Sequence, residues 1–260
     1  MSARPKVLVT GASGLIGQLV ITRLGDRYDF SGLSRRPLSG IPYTRASITD
    51  LDAVRAACEG VDMVLHLAAE TQDYDDWEKV VETTMRGTLN VYRAAHEQGV
   101  KRVVFASAGS TMLGYQFDPA SVYAQLADNK LQRMPADARM VLHTDPPRPA
   151  DFYSVGKLFG EQTGRLFSDL HGLSVLVIRV GAVLPDDKPT IVRELPGYLS
   201  HRDLVSIIDK TMSAPMTLRY DIFHAVSDNA RRWRDIDHSR EVLGWEPRDS
   251  SDVFDPATLA

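Results

Sequence analysis

Tyr153 and Lys157, in the stretch YSVGK, are the residues whose types and spacing best suit chemistry. On a helix, a separation of four puts the phenol and the ammonium on one face. A nearby cation favours the phenolate and draws a tyrosine pKa below its ordinary value of about 10. Such a pair serves as a general acid and base near neutral pH. A packed ring beside a solvated charge gives the same spacing, so the pair needs a reacting partner held nearby. The segment TGASGLIG, residues 10–17, offers one.

That segment follows Lys6–Thr10 (KVLVT), a short valine-rich run suited to a buried parallel strand. Gly11 suits a tight turn, Gly14 a close backbone approach to a pyrophosphate, and Gly17 close packing of the next helix on the sheet. The helix is expected over residues 15–24, with its N-terminal amides turned toward phosphates. A glycine turn without a ligand is the plainer alternative. A second strand is expected over residues 28–33, ending in Ser34-Arg35-Arg36. No acidic residue stands there to hold a ribose diol. Two guanidinium groups there suit a 2′-phosphate. The expected cofactor is therefore NADP, with NAD as the alternative.

Further elements alternate along the chain. A helix is expected over residues 51–58, with Asp50 as its cap. A strand follows over 61–67 (VDMVLHL), and Ala68 and Ala69 at its end leave room for a cofactor. His66 reads as a satisfied structural histidine, with a polar contact to the cofactor site as the alternative. A long helix covers 77–97 and closes at Gly99, before a strand over 101–107 (KRVVFAS). Strands alternating with helices at these lengths indicate an α/β fold with a parallel, doubly wound sheet. Its ligand crevice should lie beyond the carboxyl ends of the strands.

Ser107 and Ser110 are candidate donors to a substrate oxygen. Residues 119–148 are polar, with a short helical pattern at 121–131, and suit a lid, an interface arm or a solvated excursion. Pro146, Pro147 and Pro149 enforce an extended approach to the helix of residues 152–170, which carries Tyr153 and Lys157. A central strand spans 173–180. Arg193 is a candidate grip on a carboxylate or phosphate if it lies in a cleft, and otherwise a surface residue. A helix over 204–212 with Asp203 at or near its start, a strand over 222–226 and a helix over 234–243 follow. The tail beyond Asp249 is expected to be weakly ordered. The organisation expected is a dinucleotide-binding part, 1–180, and a small substrate-binding part, 181–260, with about 204–226 returning to the sheet.

The 260 residues carry a formal net charge of -4, which gives no basic surface for nucleic acid. No apolar run of membrane-spanning length is present. Cys58 is the single cysteine, so a disulfide scaffold and a cysteine zinc site are excluded. The chain enters a strand directly from MSARP, and a cytoplasmic protein is expected.

Together these motifs resemble the extended short-chain dehydrogenase/reductase family. The resemblance runs through TGASGLIG, HLAA (66–69), GTLNVYRAA (87–95), YSVGK and LGWEP (243–247). Within the family the chain is most similar to uronate dehydrogenases, through VVFAS, RPADFYSVGKLFGE, YLSHRDLVSIIDKTMSAP and LGWEPRD. The resemblance implies a Rossmann fold in which Tyr153 transfers a proton and Lys157 lowers its pKa and binds the nicotinamide ribose. It implies that Gly11, Ser13, Gly14, Leu15, Ile16 and Gly17 hold the pyrophosphate, with Ser34, Arg35, Arg36, Ser47, Ile48, Leu67, Ala68, Ala69, Val180 and Val183 around the rest of the dinucleotide. Thr71, Ser110 and Arg193 would meet the substrate with Tyr153. The chain departs from the pattern in several places. Ala108 or Gly109 falls where a third catalytic hydroxyl is usual, so Ser110 is assigned that role. Thr84 replaces an asparagine, Ser47 an aspartate and Ala182 a serine.

The expected activity is hydride transfer between NAD(P) and a sugar, sugar acid or related carbonyl or alcohol. A nucleotide-sugar epimerase or dehydratase and a non-catalytic dinucleotide sensor are the alternatives. No metal is expected, and a homodimer paired through the helices of residues 87–95 and 152–170 is.

Overall fold

The computed structural model describes residues 3–259. Seven strands are β1 (Lys6–Thr10), β2 (Asp29–Ser34), β3 (Tyr43–Arg45), β4 (Met63–His66), β5 (Arg102–Ala108), β6 (Ser174–Val180) and β7 (Tyr220–Ala225). They form one sheet in the order β3-β2-β1-β4-β5-β6-β7. The pairs β1/β2, β1/β4, β2/β3 and β4/β5 are all parallel. This is the expected doubly wound α/β sheet. Val7 to Val9, Val64, Leu65 and Val103 to Phe105 are almost completely buried, as continuous apolar runs covered on both faces should be. The short edge strand β3 has no counterpart among the expected elements, because three residues (YTR) carry too little pattern to read.

Among the described residues eight α-helices accompany the strands: α1 (Leu15–Leu24), α2 (Leu51–Cys58), α3 (Trp77–Lys79), α4 (Gly87–Glu97), α5 (Val122–Ala127), α6 (Phe152–His171), α7 (His201–Ser213) and α8 (Asp237–Leu243). Most boundaries fall within two residues of expectation. The long helix of 77–97 is interrupted by π-helical turns at Val80–Arg86, a distortion often found at functional sites. Its sequence gives no warning, since one widened turn barely disturbs the apolar spacing. The helix α7 begins at His201 rather than at residue 204. No helix among the described residues is long and apolar enough to cross a membrane.

The chain divides into two compact units. The first comprises Met1–Ser107, Asp151–Val177 and Thr211–Asp221. Within it, α6 approaches β5 through glycines four apart. A side chain at Gly156 would press on Val80 and Thr84, one at Gly160 would overlap the Phe105 ring, and one at Gly164 would meet Tyr92 and Val175. Buried Cys58 has its thiol pKa pushed up to about 12 by burial.

The second unit comprises Ala108–Ala150, Ile178–Lys210 and Ile222–Ala260. Residues 119–148 are not a solvated excursion. Leu126 and Val141 are fully buried with Met112 and Trp233, and Val141 exchanges backbone hydrogen bonds with Trp233 and Asp235. Asp203 lies in the first turn of α7, near the helix start as expected. Its buried carboxylate accepts from Ser227 Oγ (2.7 Å), Arg248 N (2.8 Å) and Asp249 N (3.0 Å). The tail beyond Asp249 is ordered too, with Ser251 N donating to Asn229 Oδ1 (2.8 Å) and Ser251 Oγ to Leu195 O (2.9 Å). Polar tails read as loose in sequence because nothing local reveals distant partners.

Candidate active site

The glycine turn is built as the spacing requires. Gly11 has φ +69, and a Cβ on it would lie 2.9 Å from Ala68 N. Gly17 packs on Ala12, where a Cβ would lie 2.8 Å from the backbone. Gly14 is the N-cap of α1, with no side-chain cap over the first-turn amides. A Cβ there would meet only Gly11 O, at 3.2 Å. The amides of Leu15, Ile16 and Gly17 thus begin a helix on an exposed, side-chain-free corner, the arrangement that accepts a phosphate. These residues fit a dinucleotide pyrophosphate.

The end of β2 adds a polar edge. Ser34 Oγ donates to Ser13 Oγ (2.7 Å), and Arg36 N donates to Ser34 Oγ (3.1 Å). Arg35 and Arg36 are exposed. Arg45 on β3, a residue the sequence reading did not single out, donates from Nε to Arg35 O (3.3 Å). It thereby brings a third guanidinium to the same edge. Ser47 stays local, accepting from Thr49 N and Oγ1. Ile48 is buried beneath Gly87, while Leu67, Ala68 and Ala69 are half-buried at the end of β4. Thr10 Oγ1 accepts from the amides of Leu67 and Ala68 (both 3.2 Å).

His66 is fully buried between Thr10 Oγ1 (2.7 Å) and Thr88 Oγ1 (3.0 Å). Burial first, then the Lys157 charge, drops its pKa to about 3. It is a neutral structural residue. Thr84 is buried in the π-helical turns, and its Oγ1 accepts from Glu70 N (3.0 Å) to fix the loop after β4. Thr71 is exposed in that loop.

Helix α6 starts at Asp151, whose carboxylate accepts from Ser154 N (2.6 Å). Tyr153 N donates to Tyr74 O (3.0 Å), and the two rings meet edge-on at 5.4 Å. Lys157 is 2 % exposed. Its Nζ donates to Ala106 O on β5 (2.7 Å) and lies 5.1 Å from the centre of the Phe105 ring and 5.5 Å from that of Tyr153. One turn on, buried Glu161 accepts from Ser107 Oγ (2.6 Å). Ser107 is therefore committed to Glu161.

The expected lowering of the tyrosine pKa is not found. Burial, then Tyr74 and Asp151, raise the Tyr153 pKa. Lys157 is itself brought down to about 7 by burial, with Glu161 pulling the other way. Lys157 Nζ lies over the Tyr153 ring and donates to Ala106 O, and burial outweighs any lowering it exerts on the phenol.

Sequence reasoning found the pair but missed Glu161 and the glycine ladder Gly156, Gly160 and Gly164. The ladder was legible in principle, as small residues at i, i+4 and i+8 of one helix face.

In the second unit, Ser110 is half-buried in the turn Gly109–Gln116 after β5. Val180 and Val183 are half-buried, and Ala182 bridges Tyr198. Arg193 is not buried. Its side chain is 62 % exposed and pairs with Asp128 at 3.4 Å.

Comparisons with known proteins agree with this architecture. The chain is 33 % identical to an NAD-dependent glucose-6-phosphate dehydrogenase of Haloferax volcanii, over 95 % of both chains. It is 31 % identical to an L-arabinose 1-dehydrogenase (NAD(P)(+)) of the same organism, over 95 % of this chain and 97 % of the relative. A mutant uronate dehydrogenase from Agrobacterium tumefaciens, crystallised with NAD, superposes with a TM-score of 0.82 at 28 % identity, covering 98 % of this chain and 89 % of the other. The model of the NAD dependent epimerase/dehydratase family matches residues 7–190. On sequence and fold alike, the chain belongs to the NAD dependent epimerase/dehydratase family.

Proposed function

We propose that the protein is an NAD(P)-dependent dehydrogenase of a sugar or sugar acid. The observation that carries this reading is Lys157, buried and fixed on Ala106 O, one helical turn from Tyr153 in the unit that also holds the open glycine turn. Gly11 to Gly17 would hold the pyrophosphate. Ile48 and Leu67 to Ala69 would flank the dinucleotide with Ser47, Val180 and Val183, and Lys157 would hold the ribose. The nicotinamide, when bound, accepts or gives the hydride. Tyr153, which burial holds as the neutral phenol, gives its proton to the substrate oxygen in reduction and takes it back in oxidation. Ser110 donates to the substrate oxygen, and Thr71 and Arg193 remain candidate substrate contacts. Relatives that act on glucose 6-phosphate and arabinose support the sugar class.

NADP is the dinucleotide we propose, because Arg35, Arg36 and Arg45 gather where an acidic residue would favour NAD. The test is a 340 nm panel of uronates, sugar phosphates and neutral sugars with each dinucleotide. Turnover should be faster with NADP at low concentration. The double substitution R35S/R36S should raise the KM for NADP about tenfold or more, from losing charge-assisted contacts, with little change for NAD. Equal use of both dinucleotides by the unaltered protein would count against the arginine edge, and no turnover of any sugar would count against the enzyme.

The partner we propose is a second copy of this chain, paired through α4 and α6. Leu166 and Leu170 on α6 are 53 % and 68 % exposed, which leaves an apolar stripe for burial. Sedimentation should give a dimer that L170E dissociates; a monomer at all concentrations would refute this pairing.

A further inference from the structure

The second unit buries a cation that no described residue neutralises. Arg234 is 5 % exposed, and its Nη1 is buried without a hydrogen-bond partner among the described residues. No aspartate or glutamate pairs with it among those residues. Asp235, its neighbour in sequence, turns Oδ1 to Asp237 N (3.3 Å) instead.

The position is built rather than accidental. A side chain at Gly109 would overlap Arg234 Nη1, and a Cβ at Gly197 would lie 3.2 Å from Nη2. Two glycines therefore admit the guanidinium. The Trp233 ring, 4.8 Å from Cζ, supports it from one side without supplying charge. Arg179 is 2 % exposed, and its Nη1 donates to His143 O (3.1 Å). Burial, then this second cation, lower the Arg234 pKa to about 10. His224 Nε2 is likewise buried without a partner among the described residues.

An uncompensated buried cation is costly, and the usual remedy is a bidentate oxyanion. We propose that Arg234 is the receptor for the anionic group of the substrate, a carboxylate or phosphate borne by the sugar. The sugar in this statement rests on the dehydrogenase reading; the binding of an oxyanion does not. Arg193, exposed and paired with Asp128, is less suited to the task.

The test compares the intact protein with R234K and R234M. Thermal midpoints are measured alone and with inorganic phosphate, glucuronate, glucose 6-phosphate or glucose. Rates at 340 nm are measured on the three sugars. The unaltered protein should be stabilised by glucuronate or glucose 6-phosphate and not by glucose. A response to inorganic phosphate equal to that of both sugars would assign the site to the free ion and overturn the substrate assignment. R234M should lose the anion response and be no less stable than the parent without ligand, because it removes an unpaired buried charge. R234K should keep part of the response. Preference in kcat/KM for anionic over neutral sugars should fall about 30-fold in R234M, as loss of a charged hydrogen bond predicts. No anion response in the parent, or an unchanged response and preference in R234M or R234K, would overturn the proposal. An anion response without turnover of any sugar would overturn the dehydrogenase reading and leave the receptor standing.

Discussion

Tyr153→Phe should lower kcat by about 10²-fold or more, the usual contribution of a positioned acid or base, while dinucleotide affinity stays near that of the parent. The phenol oxygen is the group proposed to exchange a proton with the substrate. The rest of the ring is held by Tyr74, through the Tyr153 N to Tyr74 O bond and the edge-on ring contact. Phenylalanine keeps both contacts, so loss of rate without loss of binding isolates the proton. The measurement is kcat at saturating substrate beside dinucleotide titration by fluorescence. Retention of full activity would dismiss Tyr153 as acid and base.

Lys157→Met should also cost about 10²-fold or more in kcat/KM, and it should change how stability depends on pH. The Lys157 pKa falls from 10.5 to about 7 on burial. Between those values the unfolded chain is protonated at this lysine and the native chain largely is not. The unfolded state then binds more protons, so stability rises with pH across that window and is lowest below about 7. Methionine removes this dependence while keeping the apolar stem. The ligand-free parent should therefore gain more stability than the variant between pH 6.5 and pH 9, by roughly 1 kcal/mol or more, which is several degrees in midpoint. Thermal melts at the two pH values decide it, and identical pH slopes would show that the amine is not forced toward neutrality.

The two substitutions also separate the roles along α6. Tyr153 is proposed to act at the substrate, whereas Lys157 is held by Ala106 O and flanked by a buried carboxylate. The sequence-level expectation made the lysine a simple cation beside the phenol. Packing changes that, because burial shifts both groups toward their neutral forms.

What the sequence determined by itself is local or periodic. KVLVT followed by glycines at 11, 14 and 17 specified a strand, a turn with φ > 0 and a helix N-terminus, since each depends on adjacent residues alone. The alternation of apolar runs and amphipathic stretches specified a doubly wound sheet, and the four-residue spacing of Tyr153 and Lys157 put them on one helix face. What only the tertiary structure decided depends on chains meeting from far apart. The Lys157 pKa follows from burial against β5, about fifty residues away in sequence. Ser107 was equivalent to Ser110 as a candidate until Glu161 claimed its hydroxyl, and Arg45 joined Arg35 through pairing of β2 with β3. Arg193 and Arg234 are the same residue type to a reader of sequence. One ends on the surface beside Asp128 and the other is buried without a counter-charge among the described residues, because charge fixes what an arginine can bind while the fold fixes whether water has already satisfied it.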